Sequence, residues 1–316
     1  MVVSKFIPIC AVFDSVARCK LLIMKKFNGL YGCTFREHPT ECVDGYRKFT
    51  VSTTIPPDHT DASIKSNMVL TSQSDYEKDV MGVWGPSSLM NLKYIDLADG
   101  MSPNYMHAFL LVAVKQYTDI LLTSFGKEYY VGSPNQLQII NERMTSFKHP
   151  TCITRSPRIV TEREIWKASE WRSWLLFYSL ICLNGILPKK YLDHLALLVK
   201  ALNIMLSEKI EKKELFVAGF FLIKYVVLYQ EYFGKNAMTY NIHLLLHMEK
   251  SILNLGPLWC HNAFCFENEN HFVLKMEKSP PHLHIQEIER STKKVSYYFL
   301  INPSVQKLIK CALTKV

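Results

Sequence analysis

His243 and His247 stand four residues apart in TYNIHLLLHM. On a helix that spacing puts both imidazoles on one face, where they can converge on one metal ion. Leu244 occupies the place of the glutamate in a HExxH hydrolytic zinc site, which disfavours that chemistry. Taken alone, the pair fits two histidines on a partly buried helix face as well as it fits a metal site. Two carboxylates are the other candidates: Asp14, at the end of an apolar run, and Glu267, in LWCHNAFCFENENHFVLK. Each has an ordinary alternative, an N-cap for Asp14 and a solvated surface acid for Glu267.

The elements that must position these groups are uneven in their signals. Residues 5–13 are apolar and β-prone, so Asp14 falls where a strand ends, a place from which side chains project into a site at a sheet edge. Residues 15–26 are compatible with a helix, and Gly29 and Gly32 then break the pattern and set Cys33 in a turn or loop. From 34 to about 87 there is little periodicity, with Pro56, Pro57 and the polar run STTIPPDHTDASIKSN, and a long irregular surface loop is expected. From His107 apolar residues recur at three- and four-residue spacing in HAFLLVAVKQYTDILLTSF, in EIWKASEWRSWLLFYSLICL, and over 191–206 and 215–232. A capping box, Thr161 to Glu164, is expected to open the second of these. Trp166, Trp171 and Trp174 are expected core anchors.

The chain has 316 residues, 48% hydrophobic and 21% charged, enough to bury a large core. A net charge of +9 favours phosphate backbones or anionic surfaces without selecting either. Nine scattered cysteines do not resemble a secreted disulfide framework, so a reducing compartment is expected. Residues 173–187 and 216–229 are apolar but shorter than the roughly 20 residues that cross a bilayer, and buried helices rather than membrane spans are expected.

The run DSVARCKLLIMKKFNGLYGC resembles the segment of CACTA-type transposases in which an Asp, a turn and a helix lead through glycines to a C-x-x-C pair. The run HLLLHMEKSILNLGPLWCHNAFCFE is similar to their His-rich helix, Gly-Pro turn and closing F-E. The matches fall in the family's order from about Phe6 to Lys275. The resemblance implies an α-rich α+β fold, a partial RNase H-like sheet interrupted by a large all-helical insertion. It divides the chain into 1–33 (strand and helix), 34–106 (irregular), 107–239 (helical insertion) and 240–316 (His-rich helix, Glu267 segment and tail). Asp14 and Glu267 then match the family's second and third metal-binding acids, which would hold Mg2+ or Mn2+ for phosphoryl transfer. Cys33, His243 and His247 match a zinc clamp, and the two acids are expected close in space beside it.

Three departures qualify this. The first family acid belongs on a strand upstream of Asp14, which thirteen residues cannot supply, so the chain is expected to begin inside the catalytic domain. The second cysteine of the pair falls on Arg36, whose guanidinium would repel an ion, and a closed zinc site then needs Cys42 or His38 brought in by the loop. The family's D-x-x-H appears as Asn104-Tyr105-Met106-His107, with an amide where a carboxylate stood, and His107 is expected to cap or pack the following helix. The expectation is a transposase-derived nuclear protein, inactive as this chain, with DNA as partner, a possible homo-oligomer and no membrane association. The alternative is a non-catalytic DNA- or protein-binding module.

Overall fold

The apolar run that ends at Phe13 forms β1 (Ala11–Phe13), and α1 (Ser15–Leu21) follows directly. The computed structural model describes residues 10–74, 78–147 and 157–264. After α1 come a hairpin, β2 (Glu41–Val43) and β3 (Tyr46–Lys48), then α2 (Asp61–Gln73) and β4 (Met101–Pro103). β1 and β4 pair in parallel, Ala11 opposite Met101 and Phe13 opposite Pro103. A parallel pair needs a long crossover, and everything from α1 to α2 supplies it. Leu22, Met24, Ile64, Met68, Val83, Leu97 and Met101 close a small core over this pair.

Residues 34–106 are therefore not the irregular loop that their sequence led us to expect. The hairpin turns on Asp44 and Gly45, both at positive φ (48° and 82°), the backbone that a tight two-residue turn requires. α2 opens with a reciprocal cap: the Thr60 hydroxyl accepts from the Ser63 N–H at 3.0 Å, and the Ser63 hydroxyl accepts from the Thr60 N–H at 2.9 Å. It buries Ile64 and Met68, one turn apart, while Val69 and Leu70 are exposed. That mixture blurs the apolar stripe by which a helix is recognised in sequence.

The helical block begins with a wide-turn stretch, Met106–Val114, that runs into α3 (Lys115–Thr123). α4 (Pro134–Ser146), capped by the Ser133 hydroxyl, was not anticipated. The segment at Thr161 forms a 3-10 turn, Val160–Ile165, and the helix starts later, at α5 (Ala168–Ser173). Trp166 is extended there, and the carboxylate that caps the helix is Glu170, which accepts from the Lys167 N–H at 2.9 Å and is gripped through both oxygens by Arg158. The chain continues through Trp174–Tyr178 and α6 (Ser179–Leu183) into the long helices α7 (Lys189–Met205) and α8 (Lys212–Phe233). It then runs through α9 (Tyr240–Leu244), a 3-10 turn at Leu245–His247, and α10 (Met248–Leu255).

Trp166, Trp171 and Trp174 are buried against one another as expected, with ring centroids 4.8 and 5.9 Å from Trp166, and the Trp174 indole donates to the Thr118 hydroxyl. α7 and α8 pack as a pair joined by a short turn, with the His194 ring stacked on Tyr225 at 4.3 Å. α8 is long and apolar enough to cross a bilayer by length and composition, yet Leu215, Ala218, Leu222, Tyr225 and Tyr229 lie in the core against α7 and its neighbours.

Candidate metal centre

The strongest cluster of chemically able side chains lies where the loop after α1 meets α9. That loop makes its close turn at Gly32, where a Cβ would come within 2.5 Å of the Lys26 carbonyl oxygen, and so delivers Cys33 inward. From the other side, α9 presents His243 and the following 3-10 turn presents His247. The tighter winding at Leu245–His247 does not part the two rings, whose Nε2 atoms are 3.1 Å apart. Cys33 Sγ is 3.3 Å from His243 Nε2 and 3.4 Å from His247 Nε2, and all three residues are buried. Among the described residues this is the group of three or more His, Cys, Asp or Glu side chains whose ligand atoms converge. The sequence-predicted set Cys33, His243 and His247 is thus brought together from positions 210 residues apart.

Protons alone serve this triangle poorly. A neutral imidazole nitrogen carries either a hydrogen or a lone pair, so the three short edges cannot all be good hydrogen bonds at once. A metal ion would use all three lone pairs together. Around tetrahedral zinc, metal–ligand bonds of about 2.0–2.3 Å give ligand–ligand edges of roughly 3.4–3.6 Å. The observed edges of 3.4, 3.3 and 3.1 Å are at or a few tenths of an ångström below that range, so an ion would spread the triangle slightly. Burial pushes the Cys33 thiol up to about 11, and an ion would displace its proton outright. Burial is also the main reason that His243 and His247 sit well below the usual histidine range, which leaves them in the neutral form a metal takes.

The surroundings sort the nearby cations. Arg36, at the position of the lost cysteine, turns its Nε to Asp58 Oδ1 at 2.8 Å, so the carboxylate offsets the charge that would repel an ion. Arg18 is fully buried, donating to the Thr34 hydroxyl at 2.8 Å and the Tyr240 hydroxyl at 2.9 Å, with its guanidinium 4.5 Å from the centre of the Phe35 ring. It fastens α1 to the loop that carries Cys33 and to the first residue of α9. Nothing in its sequence context signalled this role. His38 and His59 are also buried beside the cluster, whereas Cys42 is exposed on β2.

The acids stand differently. Asp14 is exposed at the carboxyl end of β1, and its side chain accepts from the Ala17 N–H at 2.7 Å, capping α1. The paired register ends at Phe13 opposite Pro103, and Asn104 follows β4 as Asp14 follows β1. The Asn104 oxygen accepts from the Met106 N–H at 3.1 Å and its amide nitrogen lies 2.8 Å from His107 Nδ1, so both residues of the altered signature serve the start of the next helix. Glu267 lies outside the described residues, and so does the expected approach of Asp14 to Glu267. Ser102 and His261, which the sequence reading passed over, form a buried tie between β4 and the segment after α10, with Ser102 Oγ 2.6 Å from His261 Nδ1.

No family model matches the chain, and comparison with curated proteins and with solved structures finds no match.

Proposed function

We propose that the chain is a transposase-derived protein, the remnant of a metal-dependent DNA strand-transfer enzyme, inactive as this chain and retaining DNA as its partner. The observation that carries the reading is the convergence of Cys33 with His243 and His247 beside the loop that follows the Asp14 strand and helix. That is the arrangement the CACTA-type resemblance implies, with the helical block inserted between its two halves. On this reading the parallel pair β1 and β4 belongs to a partial RNase H-like sheet, and Cys33, His243 and His247 hold Zn2+ as a clamp between sheet and insertion.

Ligands in open sheets bind beyond the carboxyl ends of parallel strands, where Asp14 sits. Two-metal phosphoryl transfer with Mg2+ or Mn2+ needs several carboxylates there. The residue that follows β4 is the amide Asn104 and not a carboxylate, which supports loss of cutting rather than loss of binding. The free cysteines among the described residues fit a reducing compartment, and a nuclear location follows only from the DNA reading.

The test is duplex binding by the purified chain across a salt series, with Mg2+ or Mn2+ present. The expected result is binding whose affinity falls steeply as salt rises, because neutralised phosphates release counterions, and no nicking. Nicking that is lost in Glu267→Gln would overturn inactivity. Absence of any duplex binding at low salt would overturn the DNA reading and leave, of the alternative non-catalytic DNA- or protein-binding module, only the protein-binding form.

A further inference from the structure

Three converged ligands leave one corner of a tetrahedron unfilled, and a structural zinc site is closed by four. Resting on the clamp reading above, we propose that His38, whose ring nitrogens lie outside the converged group of three, closes in on a bound ion to supply the fourth ligand through Nδ1, giving a site of one thiolate and three imidazoles in place of the cysteine pair that Arg36 breaks.

Four observations carry this. The loop after Cys33 does fold back: the His38 N–H donates to the Arg36 carbonyl at 2.7 Å, and the residue is 6% exposed. Its ring packs edge-on against His243, centroids 4.7 Å apart, and also against Phe49. His38 Nε2 lies 3.1 Å from the Thr50 carbonyl oxygen, so Nε2 carries the proton and donates it. A backbone carbonyl holding one ring nitrogen is the support that metal-ligating histidines characteristically have, and it leaves the other nitrogen as a bare lone pair. That nitrogen, His38 Nδ1, is buried and has no hydrogen-bond partner. An unpaired buried acceptor costs stability unless something takes it up, and a metal ion does so.

His59 is the competitor. It too is buried, its imidazole faces the Cys33 backbone and lines a small cavity with His247, and neither ring nitrogen makes a hydrogen bond of good geometry. Its Nδ1 lies 3.8 Å from a Glu37 carboxylate oxygen, and His59 shares no ring packing with His243. Cys42 is exposed on the hairpin and is not a candidate.

The experiment titrates the metal-free full chain with Co2+ and, separately, with Zn2+, in the unaltered protein and in His38→Phe, His59→Phe and Cys33→Ser. Phenylalanine keeps the ring volume against Phe49 and removes the nitrogens. Far-UV circular dichroism of the metal-free proteins verifies folding, with His38→Gln read instead if His38→Phe does not fold. Expected are intense visible cobalt bands of a tetrahedral thiolate site in the unaltered chain and in His59→Phe. In His38→Phe those bands weaken and zinc affinity drops by more than roughly 100-fold, beyond what loss of a supporting group alone costs. If His38→Phe keeps both the bands and the affinity while Cys33→Ser loses them, the clamp stands and His38 is not its ligand. Loss in His59→Phe instead of His38→Phe overturns the assignment equally. If the unaltered chain takes up neither ion, the clamp reading and this inference fall together.

Discussion

A histidine in this protein is informative chiefly through what each of its two nitrogens meets. His243 and His247 turn Nε2 toward a thiol, His38 gives one nitrogen to a carbonyl and keeps the other bare, and His194 does the same inside the helical block, with Nε2 2.8 Å from the Tyr225 carbonyl oxygen. The i, i+4 pair was legible because helical spacing alone brings the two rings to one face. His38 was legible only as one of two substitutes, beside Cys42, because choosing between them depends on a loop whose path no periodicity encodes. Burial pushes the His194 imidazole down from 6.5 to about 4. Between those values the unfolded chain binds a proton that the folded chain does not, so the stability contribution is full above pH 6.5 and is lost as pH falls toward 4. At about 1.4 kcal/mol per pKa unit the loss approaches ~3 kcal/mol. The other buried histidines add to the decline between pH 7 and pH 4 in urea unfolding, and His194→Phe should make its slope shallower by about this amount. An unchanged slope in the variant would contradict a buried neutral His194.

Among the elements, the long amphipathic helices were read closely from spacing: 191–206 became Lys189–Met205 and 215–232 became Lys212–Phe233. The second tryptophan-rich helix began later than its apparent capping box. Thr161 to Glu164 has the letters of a start signal, but the carboxylate that closes a cap is Glu170, chosen by burial and by the Arg158 grip that sequence does not display. α2 was missed because its buried Ile64 and Met68 are interleaved with exposed Val69 and Leu70. Its place in the core can be tested directly. Thr60→Ala, which removes the reciprocal cap, should cost about 1 kcal/mol, and Ile64→Ala, which opens a cavity under the strand pair, about 2–5 kcal/mol in chemical denaturation. A cost near zero for Ile64→Ala would mean that α2 does not close that core.

On the scale of the whole molecule, the topology joins two parts that could not otherwise be held in register. A parallel strand pair with α1 and α2 forms one small core, and the helices from α3 to α10 form the larger one. Cys33, Phe49 and the His-bearing turn sit where the two meet, and Arg18 ties the same elements from beneath. The helical character of the chain was plain in its sequence, whereas the closure of this junction rests on contacts more than 200 residues apart. The measurement that bears most directly on the account is the metal content of the full chain expressed with zinc and purified without chelator, beside Cys33→Ser. The account predicts one zinc per chain and little or none in the variant. A well-folded chain that carries no zinc, or carries the same amount after Cys33→Ser, would contradict it.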